Sequence, residues 1–286
     1  MTANRRFEAG QRLRDIAAGR LRRHCATGAV ALDDISVSFF SDRSVTVVSG
    51  VSLTILPGEF VTFLGPSGCG KTTLLNLIGG MIRPTTGKVH IDGALVTEPT
   101  PVCNIVFQQH SLFGWMRAID NVAFGPRAMG HPDPRGEAMR FLRLVGLDNH
   151  ADAYPAALSG GMQQRVAIAR ALATAPSVLL MDEPFGALDA QTRSIMQEEL
   201  LKLRRDIAPT VIFVTHDVDE ALLLSDRIFV MRAMPGGLKE EITLDGEFRH
   251  ETDVLRNGKY RKLRQHILTQ IREETLKVFN RPDGGR

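Results

Sequence analysis

Residues 65–73 read Gly65-Pro66-Ser67-Gly68-Cys69-Gly70-Lys71-Thr72-Thr73 and fit the pattern G-x-x-x-x-G-K-[ST]. Glycines at this spacing let consecutive backbone N–H groups curl around an anion, and a helix starting there adds partial positive charge. The Lys71 ammonium can then reach the β- and γ-phosphates of a nucleotide, and the Thr72 hydroxyl can ligate Mg²⁺. The motif belongs between an apolar strand and a helix. The apolar run 60–64 precedes it and the good helix formers of 71–78 follow it. Nucleotide binding is the reading. Cys69 lies beside the helix start, where positive backbone potential should favour its thiolate. A thiol-alkylating reagent is therefore expected to inactivate the site, with MgATP protecting it.

Three further clusters sit where strands should end. The run 178–181 leads into Asp182-Glu183-Pro184, placing two carboxylates at the carboxyl edge of a sheet, where open α/β sheets bind ligands. Asp182 would hold Mg²⁺ and Glu183 would polarise an attacking water. The run 211–215 ends at His216, a candidate to contact the γ-phosphate, and Gln108 ends a strand over 102–107 with a neutral amide suited to Mg²⁺ or to water. Residues 158–165 read Leu-Ser-Gly-Gly-Met-Gln-Gln-Arg. Ser159 makes a fair N-cap, and Gly160 and Gly161 expose the first amides of the next helix. That is a second anion-receptive helix start in a chain with one phosphate loop.

The elements that must position these groups alternate. Strand signals over 35–40, 45–55 and 60–64 come first. Helical pieces broken by Pro and Gly occupy 109–158, with Met139, Leu142 and Val145 at helical spacing over 137–145. Helix 161–174, strand 178–181, helix 191–206, strand 211–215, helix 218–224 and strand 228–231 follow. This alternation predicts an α/β fold with a mostly parallel sheet covered on both faces. Residues 236–286 read as a polar turn region and a basic helix.

Together these motifs resemble the nucleotide-binding subunits of ABC transporters, over about residues 32–231. The resemblance implies a P-loop NTPase core, an N-terminal antiparallel β-subdomain and an inserted helical subdomain over about 109–165. It makes residues 65–73 the Walker A motif, 178–182 Walker B with Glu183 as catalytic base, and 158–164 the signature, whose Ser159, Gly160, Gly161 and Gln163 would meet ATP held by the opposite subunit. It also makes Asp189 the D-loop aspartate, His216 the switch histidine and Gln108 the Q-loop residue, with Thr72, Gln108 and Asp182 around Mg²⁺. Phe40 falls where the family stacks an aromatic ring on adenine, with Phe39 as the competing choice. Partners implied are a second copy of the chain docked head to tail, integral membrane permease subunits and, indirectly, a solute-binding protein. The place implied is the cytoplasmic face of the inner membrane, held peripherally.

A finer resemblance links Ser111–Trp115, Asn121–Gly125, Asp182–Asp189 and the stretch 262–267 to the branch serving taurine, sulfonate and nitrate importers. Gly114 departs from it, since a proline is usual there. Trp115, the one tryptophan, reads either as a core aromatic of the helical subdomain or, by the resemblance, as part of the groove that receives a permease helix.

The totals agree with this picture. At 286 residues, with 43% hydrophobic residues and a net charge of +3, the chain suits one large domain and gives no argument for nucleic acid. Three cysteines, Cys25, Cys69 and Cys103, form no CxxC pair, which points to a reducing compartment. No apolar run approaches the roughly 20 residues of a membrane helix, and no signal peptide is expected. Residues 1–30 form a basic tail, 31–235 the ATPase domain and 236–286 a short extension. A soluble ABC-type ATPase outside transport is the rival. Repair proteins of that kind insert long coiled coils and translation factors carry two cassettes, and neither feature is present.

Overall fold

The computed structural model describes residues 28–40, 44–109, 111–186, 188–207, 209–244 and 258–279. The basic stretch expected over 1–30 lies outside them except for its last three residues. The described residues fall into two compact units. One comprises Ala29–Thr100, Leu180–Glu183 and the chain from Thr210 on; the other comprises Pro101–Leu179 and Pro184–Pro209.

The first unit opens with β1 (Val30–Phe40) and β2 (Ser44–Ile55), an antiparallel pair with Val30 opposite Ile55 and Phe40 opposite Ser44. β3 (Phe60–Leu64) is buried at all five positions, as a strand covered on both faces requires. The phosphate-loop sequence follows it and runs into α1 (Lys71–Ile78). β4 (Thr86–Ile91) and β5 (Ala94–Leu95) complete a four-stranded antiparallel sheet in the order β2-β1-β4-β5. The sequence gives β4 a weak signal because only Val89 and Ile91 are buried in it.

The second unit holds β6 (Cys103–Val106), α2 (Ala118–Ala128), α3 (Pro134–Leu144) and α4 (Gly160–Leu172), three helices that pack on one another. α3 starts three residues earlier than its apolar spacing shows. Asp133 caps it by accepting from the Gly136 amide at 2.9 Å, and Pro134 occupies the first turn. β7 (Val178–Asp182) passes from this unit into the first, and α5 (Ala190–Ile207) returns to it.

The chain then completes the first unit with β8 (Thr210–Thr215), α6 (Val218–Leu224), β9 (Arg227–Met231), β10 (Leu238–Thr243) and α7 (Gly258–Phe279). The large sheet runs β10-β9-β3-β8-β7-β6. β3 is parallel to β8 and β9, and β10 is antiparallel to β9. The expected mixed, mostly parallel α/β architecture with a separate antiparallel sheet is what the chain forms. Among the described residues, no helix is long and apolar enough to cross a membrane.

α7 is seated by Tyr260 and Ile267, which join Val218, Leu222 and Val230 in one apolar cluster. Further along α7, Glu274 is buried. It accepts the Ala233 N–H at 2.9 Å and pairs with Lys239 at 3.0 Å and Lys277 at 2.6 Å. Burial opposes its charge, but these donors outweigh burial and hold the carboxyl down at about 2. A folded-state value below the unfolded one means stability that is present above about pH 4.5 and is lost as pH falls toward 2. Glu274→Gln is therefore expected to cost about 2–3 kcal/mol at pH 7. Urea unfolding should show that difference from wild type at pH 7 and less than half of it at pH 3. A difference independent of pH would contradict the assignment.

Candidate active site

The first unit brings the phosphate loop, Asp182, Glu183 and His216 together in one body. Gly68 and Gly70 carry the backbone into the left-handed region, at φ +78° and +93°, which side-chain-bearing residues enter only with strain. Gly70 is also the N-cap of α1 and supplies no side-chain cap, so the first amides of α1 are not closed off by one. Lys71 is buried, 6% exposed, and its Nζ donates to the carbonyls of Gly65 at 2.8 Å and Pro66 at 2.9 Å. Among the described residues no carboxylate pairs with it. Its Nζ also lies 3.8 Å from the Cys69 sulfur, and a buried ammonium without a paired carboxylate is suited to phosphate charge.

β3, β7 and β8 lie in the large sheet, and the candidate groups follow their carboxyl ends. Asp182 closes β7, and its Oδ1 accepts the Thr72 hydroxyl at 3.2 Å. Burial pushes the Asp182 carboxyl up; the Thr72 hydrogen bond pulls it down and the Glu183 charge pushes it up again. Glu183 itself sits at φ +43° and donates its amide to the Val214 carbonyl at 2.9 Å. A non-glycine residue held in that region marks a position that its surroundings over-determine. His216 Nδ1 lies 3.3 Å from Glu183 Oε1. The donor set fits Mg²⁺: a hydroxyl and a buried carboxylate in contact, beside a loop suited to phosphate. Mg²⁺ is an ion that binds through one or two protein oxygens and the substrate's phosphates.

The second unit carries the remaining candidates. Ser159 caps α4 as its sequence implies, its Oγ accepting from the Met162 amide at 3.3 Å, and Ser159 and Gly160 are exposed. Gln163, expected at an opposite-subunit ATP, spends its amide nitrogen inside the chain, donating to Pro155 O at 3.0 Å and Leu158 O at 3.1 Å. Asp189 caps α5, accepting from the Thr192 amide at 2.9 Å, a bond that holds its carboxyl below the ordinary range. Gln108 is exposed, two residues past β6. Phe40 ends β1 in the first unit, while its side chain lies outside the described residues; Phe39 is half-exposed.

The model of the ABC transporter family matches residues 48–186. An ABC transporter ATP-binding protein of Methanocaldococcus jannaschii is 48% identical over 240 residues, 83% of this chain and 89% of that protein. The chain belongs to the ABC transporter ATPase family. The taurine import ATP-binding protein of Jannaschia sp. is 42% identical to this ATPase over 262 residues, 89% of it and 98% of the relative. A solved ATP-binding cassette, in a dimeric post-hydrolysis state bound to ADP and phosphate, matches with a TM-score of 0.69 and 34% identity. The match covers 76% of the ATPase and 99% of that chain.

One expectation fails in the ATPase, and one of the two readings of Trp115 falls away. Cys69 is not a thiolate-favouring cysteine. Its side chain is buried, and burial pushes the thiol up, with the nearby Lys71 charge offsetting that only in part. The helix-start potential that sequence suggests acts on a group the loop has wrapped away from water. Trp115 is not a core aromatic either, being 74% exposed.

Proposed function

We propose that this ATPase powers an importer: a pair of chains, docked head to tail, closes on ATP and reopens after hydrolysis, driving separate membrane permease subunits. In each copy the phosphate loop and Lys71 hold the β- and γ-phosphates, Thr72 and Asp182 hold Mg²⁺, Glu183 orients the attacking water and His216 faces the γ-phosphate. Bound Mg²⁺ would neutralise charge developing on the phosphate oxygens. Ser159, Gly160 and the first amides of α4 then meet the ATP of the other copy, a use suited to a capped, exposed, anion-receptive helix start. Asp182–Glu183 at the end of β7 and the Glu183–His216 contact support hydrolysis over nucleotide sensing.

The observation that carries the coupling is Trp115. Its ring lies 5.5 Å from that of Phe113 at a tilt of 40°, and Phe113 meets Phe124 at 4.9 Å. Trp115 and Phe124 are both exposed. An exposed cluster of aromatic side chains is the composition of a protein-binding surface. The occupant proposed is a cytoplasmic helix of the permease, with a solute-binding protein acting beyond it. The solute proposed is a small anion or a sulfur- or nitrogen-bearing nutrient such as an alkanesulfonate or nitrate. Adding the permease should shift the emission of Trp115, and deleting the gene should impair growth on one such compound as sole sulfur or nitrogen source. A co-purified complex whose emission matches that of the free subunit would reject the docking surface. Normal growth across the panel, with loss of growth on a sugar or metal, would reject the solute class.

A further inference from the structure

α6, the helix that follows His216, has seven residues. A helix this short does not hold itself in water, so its direction depends on what grips it. Besides the burial of Val218 and Leu222 in the apolar cluster with Tyr260 and Ile267, α6 has three polar grips, of which two are local. Asp217 Oδ1 accepts the amides of Asp219 at 2.8 Å and Glu220 at 3.2 Å, and Thr215 Oγ1 donates to Glu220 Oε2 at 2.7 Å while accepting the Asp217 amide at 3.0 Å. The third grip is distant. The Asp219 carboxylate reaches across to α7, accepting the Tyr260 hydroxyl at 2.7 Å and the Arg264 Nε at 2.6 Å on Oδ1, and the Arg264 Nη2 at 3.0 Å on Oδ2.

Three donors on one carboxylate, two of them from a planar guanidinium, fix its direction as well as its position. Asp219 and Arg264 are each nearly half exposed, and an ion pair so placed adds little to stability. Arg264 nevertheless holds the Asp219 carboxyl below the usual range, against burial. The clamp therefore supplies geometry. It falls in the first turn of α6, three residues past His216, whose imidazole stands 3.3 Å from Glu183.

We propose that Tyr260 and Arg264 are positioning residues for His216: by clamping Asp219 they set the first turn of α6 and with it the approach of the imidazole to Glu183. This gives residues 258–279 a part in the hydrolytic cycle, and it rests on the reading that His216 acts at the γ-phosphate. Both residues lie on α7, outside the phosphate loop and the strand ends assigned to nucleotide. Loosening the clamp leaves Lys71 and Thr72 where they are, so the chemical step suffers and nucleotide affinity does not.

The test is steady-state hydrolysis by the full chain, alongside hydrogen exchange. Arg264→Ala is expected to lower kcat about five- to tenfold with KM for ATP within about twofold of wild type. Arg264→Lys, which returns the charge without the fork, should recover part of the loss. Exchange at the amides of Asp219 and Glu220 should quicken while that of α1 stays unchanged. In a His216→Ala background the Arg264 substitution should add nothing, because the group it positions is gone. The proposal is overturned by unchanged kcat in Arg264→Ala, by a rise in KM matching the fall in kcat, or by an equal further loss on top of His216→Ala. Should Arg264→Ala not fold, Tyr260→Phe removes one hydroxyl and carries the same test, with a two- to threefold fall in kcat expected in order of magnitude. Wild-type turnover in His216→Ala would instead overturn the reading of the site, and this proposal with it.

Discussion

Glu183→Gln is expected to leave ATP binding in place and to lower turnover by about 10²–10⁴-fold, the usual cost of removing a general base. The amide keeps the size and polarity of the side chain, so the left-handed backbone at φ +43° and the amide bond to Val214 have no reason to change. What disappears is the carboxylate that can take a proton from water. Phosphate release at saturating MgATP measures the loss, and turnover within tenfold of wild type would reject the role. With hydrolysis stopped, ATP should hold two copies together and a dimer should appear on size exclusion. Ser159→Arg on the same chain should abolish that dimer while leaving ATP bound to the monomer, since Ser159 is exposed and is proposed to serve the other copy. If Ser159 only capped α4, the double variant would dimerise as Glu183→Gln does.

Lys71→Ala should act one step earlier. The ammonium is buried and held by two carbonyls of its own loop, so its removal takes away the cation proposed to face the phosphates. Loss of a charge-assisted hydrogen-bonding group costs roughly 1.5–3 kcal/mol, about 10- to 150-fold in ATP affinity. Equilibrium dialysis reads this directly. ATP should also raise the melting temperature of wild type and of Glu183→Gln but barely that of Lys71→Ala at the same concentration. An equal thermal shift in all three would dismiss the lysine as a ligand.

The phosphate loop and the strand ends were legible because they combine two independent signals. β3, β7 and β8 are buried along their whole length, so they read as mainly apolar runs, and the charged and polar residues that follow stand out by contrast. Ser159 was legible as a cap from its type and the glycines beside it. The rest depended on facts that chain order does not carry. β10 reads Leu-Lys-Glu-Glu-Ile-Thr with only Ile242 buried, too little alternation to announce an edge strand. Cys69 sits at a helix start, but its chemistry is set by how tightly the loop closes over it. Gln163 lies in a motif stretch yet finds carbonyls of its own chain within reach. The clamp on Asp219 joins residues 41 and 45 positions apart, and no local period reports such a meeting.

The parallel pairing of β3 sets a timetable for synthesis. Phe60 pairs with Val211 and Val61 with both Ile212 and Arg227, so the strand that leads into the phosphate loop has no sheet neighbour until some 151 further residues have been made (211 − 60). At roughly 5–20 residues per second, that is about 8–30 s of translation. During this interval Phe60, Val61, Phe63 and Leu64, all fully buried in the finished fold, have left the ribosome without the strands that will cover them. The antiparallel β2-β1-β4-β5 sheet draws all four of its strands from before residue 96 and can pair within that window, with the bonds of Val47 and Ser49 to Gly236 left to a later stage. The nucleotide pocket is therefore among the last features of the molecule to exist. A ribosome that stalls between Leu64 and Thr210 leaves a nascent chain whose adhesive segment is already exposed and whose site is not yet built.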